Sequence, residues 1–330
     1  MKSPAREGVV SIAFPVWNEE DNLEELHKRV TEALVDTGVG YELMFVDNGS
    51  TDGSLAVIKR LRDRDTCVRY VSLSRNFGHQ AGLFAGMSHA TGDAVITMDS
   101  DLQHPPSLIP EMVRLWREGS DVVYTTKRGH HYSGLKGLQV KLFYWLISRV
   151  SGLNLSFGQS DFRLLDRQVV NTLLRMPEYR KFLRGAVDWV GYQQAALEYD
   201  VADRYRGKSK FSYKSLVSFA VDGVLAFSTM PLRWMLATGL IIASASVAYA
   251  IVAATLGILS LAGAGLALPP GWATIAASIS FFGGVQLIAI GVVGEYIGRI
   301  YEQTKGRPVF IVRDGSENRG EGTASKEQAP

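Results

Sequence analysis

A single cysteine, Cys67, stands in a chain of 330 residues, so no disulfide framework can staple the fold, and a reducing compartment is expected for its bulk. No GxGxxG follows the first apolar run, and no GxxxxGK[ST] occurs anywhere, which argues against a dinucleotide cofactor and a P-loop. Charge of either sign is not in excess: 35 Lys and Arg against 33 Asp and Glu leave +2, and nothing points to a nucleic-acid partner. The apolar stretch near the N-terminus is too short for a signal peptide and is followed at once by acids. The sharpest absence is local. From Trp234 to Gly294 there is no Asp, Glu, Lys, Arg or His.

That uncharged stretch has room for two membrane spans of about 20 residues each, one from Trp234 and one from Trp272, parted by the break AGAGLALPPG. Lys208, Lys210, Lys214 and Arg233 precede it, and Arg299, Lys305, Arg307 and Arg313 follow. By the positive-inside rule both flanks are expected in the cytoplasm, and the basic clusters suit an anionic lipid surface. The organisation expected is a cytosolic catalytic domain over 1–210, interfacial helices over 211–232, two transmembrane helices over 233–298 and a cytosolic tail over 299–330. Residues 134–150 form a second basic and aromatic amphipathic segment suited to the interface. The polar tail after Asp314 reads as disordered.

Short apolar runs at 9–14, 41–46, 68–73, 93–98 and 121–126 read as strands, with amphipathic helices at 20–34, 53–63, 79–89 and 107–117. This alternation predicts a doubly wound, mostly parallel α/β sheet, whose ligands bind beyond the carboxyl ends of the strands. The polar motifs sit at those ends: PVWNEED, DNGSTDGS, SRNFGHQAG and MDSDLQHPP. Asp99 and Asp101, at i and i+2 where a strand ends, are expected to point the same way and to repel unless a hard cation lies between them. His130 and His131 are adjacent, diverge, and do not suggest a metal site.

With PVWNEEDN, VDNGSTDGS, SRNFGHQAG, MDSDLQHPP, GQSDFRLLDR, RYRGKSKFS and GEYIGRIYEQTKGRP in one order, the chain resembles the polyprenyl-phosphate glycosyltransferases of glycosyltransferase family 2, a group that includes dolichol-phosphate mannose synthases and GtrB-type undecaprenyl-phosphate glucosyltransferases. The resemblance implies a GT-A type mixed sheet with interfacial helices and a C-terminal transmembrane hairpin. It implies that Pro15, Glu19 and Asp47 hold the nucleoside of a nucleotide-sugar. Asp99, Asp101 and the amide oxygen of Gln103 match the family's DxDxQ, which implies Mg2+ or Mn2+ on the donor diphosphate. Arg204, Lys208 and Lys210 match a basic loop that closes over the same diphosphate. Asp161 matches the proposed catalytic acid-base position, here an orienting group or weak base, because a lipid phosphate is already anionic. Arg128, Lys136 and Lys141 are assigned to the acceptor phosphate as basic residues beside the membrane helices. Asn48 stands where the family often has a second acid, and His104 where relatives often carry one.

The activity implied is inverting transfer of one sugar, glucose from UDP-glucose by likeness of SRNFGHQ to GtrB-type members, to polyprenyl phosphate at the inner membrane. GDP-mannose, UDP-N-acetylglucosamine and UDP-galactose stay open as donors, as does a homo-oligomer. A processive synthase would need QxxRW and a channel, whereas this chain has MPLRW at 230–234 and two spans. A nucleotide-binding scaffold without turnover is the remaining alternative, and the intact DxDxQ argues against it.

Overall fold

A computed structural model describes residues 6–35, 37–128, 159–179, 181–200, 230–261 and 271–316. They fall into two units. One comprises the described residues up to 200 together with 307–316, the other residues 230–261 and 271–306.

The first unit is an eight-stranded sheet. Its strands are β1 (Val9–Val16), β2 (Gly40–Asp47), β3 (Val68–Leu73), β4 (Ala94–Thr97), β5 (Val122–Arg128), β6 (Gln159–Asp166), β7 (Gln194–Asp200) and β8 (Val312–Gly315), in spatial order β7-β5-β6-β4-β1-β2-β3-β8. Strands β4, β1, β2 and β3 run parallel. β6 lies antiparallel between β4 and β5, and β8 antiparallel beside β3. The sheet is therefore mixed, as the resemblance implies.

Helices α1 (Leu23–Val35), α2 (Ser54–Arg64), α3 (His79–His89), α4 (Ile109–Arg117), α5 (Arg167–Arg175) and α6 (Leu183–Trp189) cover both faces. The pleat of β1 divides them. Val10, Ile12, Phe14 and Val16 point into a core with Leu26 and Val30 of α1, Ile58 of α2 and Met112 and Trp116 of α4. Ala13 points the other way, into a core with Leu83 and Met87 of α3, Val170 and Leu173 of α5 and Val187 of α6. With both faces covered, β1 and β4 are apolar almost without interruption, which is why they read as strands without alternation. The strand order reverses between β4 and β1, so a crevice opens at their carboxyl ends.

The second unit holds α7 (Met230–Leu261) and α8 (Trp272–Thr304). Each contains a window apolar and long enough to cross a bilayer, Leu232–Tyr249 and Phe281–Thr304, and Leu240, Ile241, Leu287 and Ile288 are exposed. At about 1.5 Å per residue each helix exceeds a hydrocarbon core of about 30 Å, so charged ends such as Glu295 and Arg299 have room to emerge. Of the expected interfacial segments, 134–150 and 211–229 lie outside the described residues, as do His130, His131 and the tail from 317, while residues 230–232 open α7. The sequence reading offers no strand beyond 299; β8 is one, fixed to β3 and to Lys59, whose Nζ lies 2.9 Å from Asp314.

Candidate active site

The crevice is built from the loops that follow β1, β2, β3 and β4. The first two are zipped together by side chain to backbone bonds: Glu19 N–H donates to Ser54 Oγ (2.9 Å), Gly53 N–H to Glu20 Oε2 (2.7 Å) and Thr51 N–H to Asn18 Oδ1 (2.8 Å). Glu19 is half-buried and accepts from Asn22 Nδ2 at 2.6 Å. Pro15 is buried, and its carbonyl accepts from Ser100 Oγ (3.0 Å), which ties β1 to the loop after β4.

Asp47, expected at the nucleoside, is bonded to the protein on both oxygens. It has no exposed surface, its Oδ1 accepts from Ser50 N–H (2.9 Å) and its Oδ2 from Ser72 Oγ (2.7 Å). It anchors the β2–α2 turn. Arg313 of β8 donates to the same Ser72 Oγ at 3.1 Å. Asn48 is also structural: its Nδ2 donates to Gly78 O and its Oδ1 accepts from Phe77 N–H, both at 3.0 Å. An aspartate could not make the first of these bonds. Gly49, at φ 69°, lets the two loops touch, since a Cβ there would lie 2.5 Å from the Arg75 carbonyl carbon.

Asp99, Asp101 and Gln103 lie in the turn after β4 rather than on its pleat. β4 ends at Thr97, so the turn places the two acids, and Leu102 within it adopts φ 62° while 4% exposed. A non-glycine residue held there is strained by about 1–3 kcal/mol and persists because its surroundings impose it. Gln103 N–H donates to Asp101 Oδ1 (3.1 Å), and Asp99 N–H to His104 Nδ1 (3.1 Å). Because Nδ1 accepts, the proton of the His104 ring is assigned to Nε2, which faces Ser160 Oγ at 2.7 Å. Thus His104, stacked on Phe162, is a strut beneath Asp99.

Asp99 Oδ1 is buried without a hydrogen-bond donor. His79 Nε2 lies 3.4 Å from this oxygen without forming a hydrogen bond, so the oxygen can still accept a metal cation. No group of three or more His, Cys, Asp or Glu side chains suited to a metal exists among the described residues. Two carboxylates and an amide oxygen fit a Mg2+ or Mn2+ ion that takes its other ligands from phosphate and water.

Asp161 lies on β6, the antiparallel neighbour of β4. It is 7% exposed and bidentate with Arg184 of α6, whose Nε donates to Oδ1 (2.9 Å) and Nη2 to Oδ2 (3.0 Å). Burial alone would raise its carboxyl, but the Arg184 guanidinium, reinforced by His79, holds it well below the usual carboxylate range. Arg163, 1% exposed and 3.9 Å from Asp161, is pushed by burial down to about 10. His79, the first residue of α3, joins the halves: its Nε2 is 3.4 Å from Asp99 Oδ1 and 3.6 Å from Asp161 Oδ2. Burial would lower its imidazolium, yet Asp99 and Asp161 push it up to about 9; the side chain keeps 45% exposure, so solvent screens part of that attraction.

The sequence reading missed His79 and Arg184. His79 lay within the quoted SRNFGHQAG motif, but Arg184 carries no local signal, because its partner is 23 residues away and only the β6–α6 fold joins them. Arg128 ends β5, with its side chain outside the described residues. Lys136, Lys141, Arg204, Lys208 and Lys210 lie outside them altogether.

The family model for glycosyl transferase family 2 matches residues 11–174. The chain is 42% identical over 306 residues to an uncharacterized glycosyltransferase of Synechocystis sp., covering 92% of this chain and 95% of that one. It is 39% identical to a bactoprenol glucosyl transferase of Shigella phage SfV and 38% identical to a prophage bactoprenol glucosyl transferase homolog of Escherichia coli, each comparison covering 92% of this chain and 98% of the relative. Among solved structures it is similar to a glucosyl-3-phosphoglycerate synthase of Mycobacterium tuberculosis, at 21% identity and a TM-score of 0.46, covering 66% of this chain and 77% of that one.

Proposed function

This chain belongs to glycosyltransferase family 2, and from that premise we propose that it transfers one glucosyl unit, with inversion, from UDP-glucose to a polyprenyl phosphate at the cytoplasmic face of a membrane. The observation that carries this reading is the extent of the likeness to the bactoprenol glucosyl transferases: it runs over 92% of the chain and so takes in the sheet and the two apolar helices alike. A soluble acceptor would give no reason for those helices, whereas a lipid acceptor confines the reaction to a surface that they can hold.

In this reading the donor lies over the β1 and β2 loops, with Pro15, Glu19 and Asp47 shaping the nucleoside end and the diphosphate directed to the loop after β4. Asp99, Asp101 and Gln103 would hold Mg2+ or Mn2+, which when bound neutralises charge growing on the departing diphosphate. Arg204, Lys208 and Lys210 would cover the same group, and Arg128, Lys136 and Lys141 would draw the lipid headgroup toward the crevice. His104 and Leu102 fix the carboxylates before the substrate arrives, so that little reorganisation remains for the reaction itself. The test is a panel of radiolabelled UDP-glucose, GDP-mannose, UDP-N-acetylglucosamine and UDP-galactose, incubated with polyprenyl phosphate and membranes carrying the full chain. Label in the extracted lipid from UDP-glucose alone is the result expected; label from another donor instead would replace glucose in this reading.

A further inference from the structure

Asp161 sits where a base would be sought, yet nothing about it suits a base. Its two oxygens face Arg184 Nε and Nη2 at 2.9 and 3.0 Å, His79 Nε2 stands 3.6 Å from Oδ2 and Arg163 Nη2 3.9 Å from Oδ1. Thr97 Oγ donates to its backbone carbonyl at 2.6 Å, so the strand beneath it is pinned as well. To accept a proton this carboxylate would have to give up a buried bidentate ion pair, whose loss is among the costlier changes a protein can make. The exposure is divided unevenly: the Asp161 side chain is 8% exposed and that of Arg184 29%, so the anion is buried and the cation reaches solvent.

We propose that Arg184 is a binding residue for the phosphate monoester of the acceptor, and that Asp161 is a positioning residue that fixes the Arg184 guanidinium rather than a base. The inference rests on the polyprenyl-phosphate reading above and names the site for that substrate. A guanidinium fork matches phosphate oxygens, and a planar group clamped at two nitrogens loses little freedom when it meets them. A phosphate monoester is anionic at neutral pH, with a second pKa of about 6, so it attacks without help from a base. One phosphate oxygen bonds to the anomeric carbon while the bond from that carbon to the diphosphate oxygen breaks; the electron pair leaves with the nucleoside diphosphate, and no proton passes to the protein. The placement fits such a displacement. His79 Nε2 lies 3.4 Å from Asp99 Oδ1 and 3.6 Å from Asp161 Oδ2, so the Arg184–Asp161 pair stands one imidazole away from the carboxylate assigned to the diphosphate side.

The other anion that could use Arg184 is the donor diphosphate, and steady-state kinetics on the full chain in detergent, with polyprenyl phosphate and UDP-glucose varied in turn, separates the two. Arg184→Gln is expected to raise KM for polyprenyl phosphate on the order of 10-fold or more, the worth of one charge-assisted bond, with KM for UDP-glucose changed less than about twofold. The double variant Asp161→Asn/Arg184→Gln should be no worse than Arg184→Gln alone, because Asp161 acts through Arg184. Arg184→Lys, which keeps a cation beside Asp161 and so guards the fold, should still raise the acceptor KM several-fold because the fork is lost. A rise confined to KM for UDP-glucose would assign Arg184 to the donor and overturn the proposal. So would a further loss of kcat on adding Asp161→Asn to Arg184→Gln, or an unchanged acceptor KM in Arg184→Lys. A wild-type chain that turns over UDP-glucose but never labels polyprenyl phosphate would fell the underlying reading, and the inference with it.

Discussion

Asn48→Asp restores the acid that relatives often carry, and the structure says that here it should do harm. The carboxylate keeps the bond from Phe77 N–H but replaces the one to the Gly78 carbonyl, 3.0 Å away, by a contact between two acceptors. Gly78 is exposed, so water can replace the lost donor at its carbonyl, whereas burying a new charge at a site 3% exposed costs about 2–4 kcal/mol. A loss of about 2–4 kcal/mol corresponds to a fall of roughly 5–10 °C in Tm for a unit of this size. The pH dependence has a definite sign. Burial beside a carbonyl raises the folded-state pKa of the new carboxyl above its unfolded value, and the protonated acid can donate to Gly78, so the destabilisation is full above the folded pKa and shrinks as pH falls through it. Thermal unfolding of wild type and variant, each near pH 8 and near pH 5, measures this. A variant as stable as wild type near pH 8, or one whose deficit grows on acidification, would refute the claim that Asn48 clamps the 76–78 loop.

Three other outcomes follow from particular groups. Asp101→Asn should fold and insert normally yet lose activity by a factor on the order of 10² or more, and EDTA should abolish wild-type turnover until Mg2+ or Mn2+ is added back; turnover indifferent to both would remove the metal from the account. Glu42, 6% exposed, is an acid whose carboxyl burial would raise but which bonds from Ser11, Thr91 and Arg69 hold below the ordinary 4.5. A depressed folded pKa contributes stability above the unfolded value that is lost as pH falls through the folded one, so wild type should lose Tm on acidification below 4.5, and Glu42→Gln should lose less over the same interval. For topology, a cysteine placed at Gly265 in a Cys67→Ser background should be labelled from the outer side of intact cells and one at Ser3 should not; labelling of both would reverse the assigned orientation.

The parallel half of the sheet was legible because each strand is a run of apolar residues buried on both faces, and the helices between them show a single apolar stripe. Strands β6, β7 and β8 were not. β6 carries Asp161 and Arg163 in its middle, β7 mixes Glu198 with Tyr199, and β8 is four residues of which three are polar or glycine; each is a strand only because a neighbour supplies its hydrogen bonds. The site divides in the same way. Asp99, Asp101 and Gln103 are close in sequence and could be read as one cluster, although they sit in a turn with a strained Leu102 rather than on the pleat. Asp161 was found by resemblance, but its bond to Arg184 was not, and that bond changes what the residue can do. Asp47 was assigned to the nucleoside by resemblance, and its bonds to Ser50 and Ser72, which hold the β2–α2 turn, had no signal in the sequence.

The central claim is a single displacement of UDP by a lipid phosphate, and the configuration of the product tests it most directly. Wild-type chain given UDP-α-glucose and polyprenyl phosphate should release one UDP for each glucosyl lipid formed, and the anomeric proton of that lipid, read by NMR, should report the β configuration. An α-linked product, or UDP released without glucosyl lipid, would contradict the account.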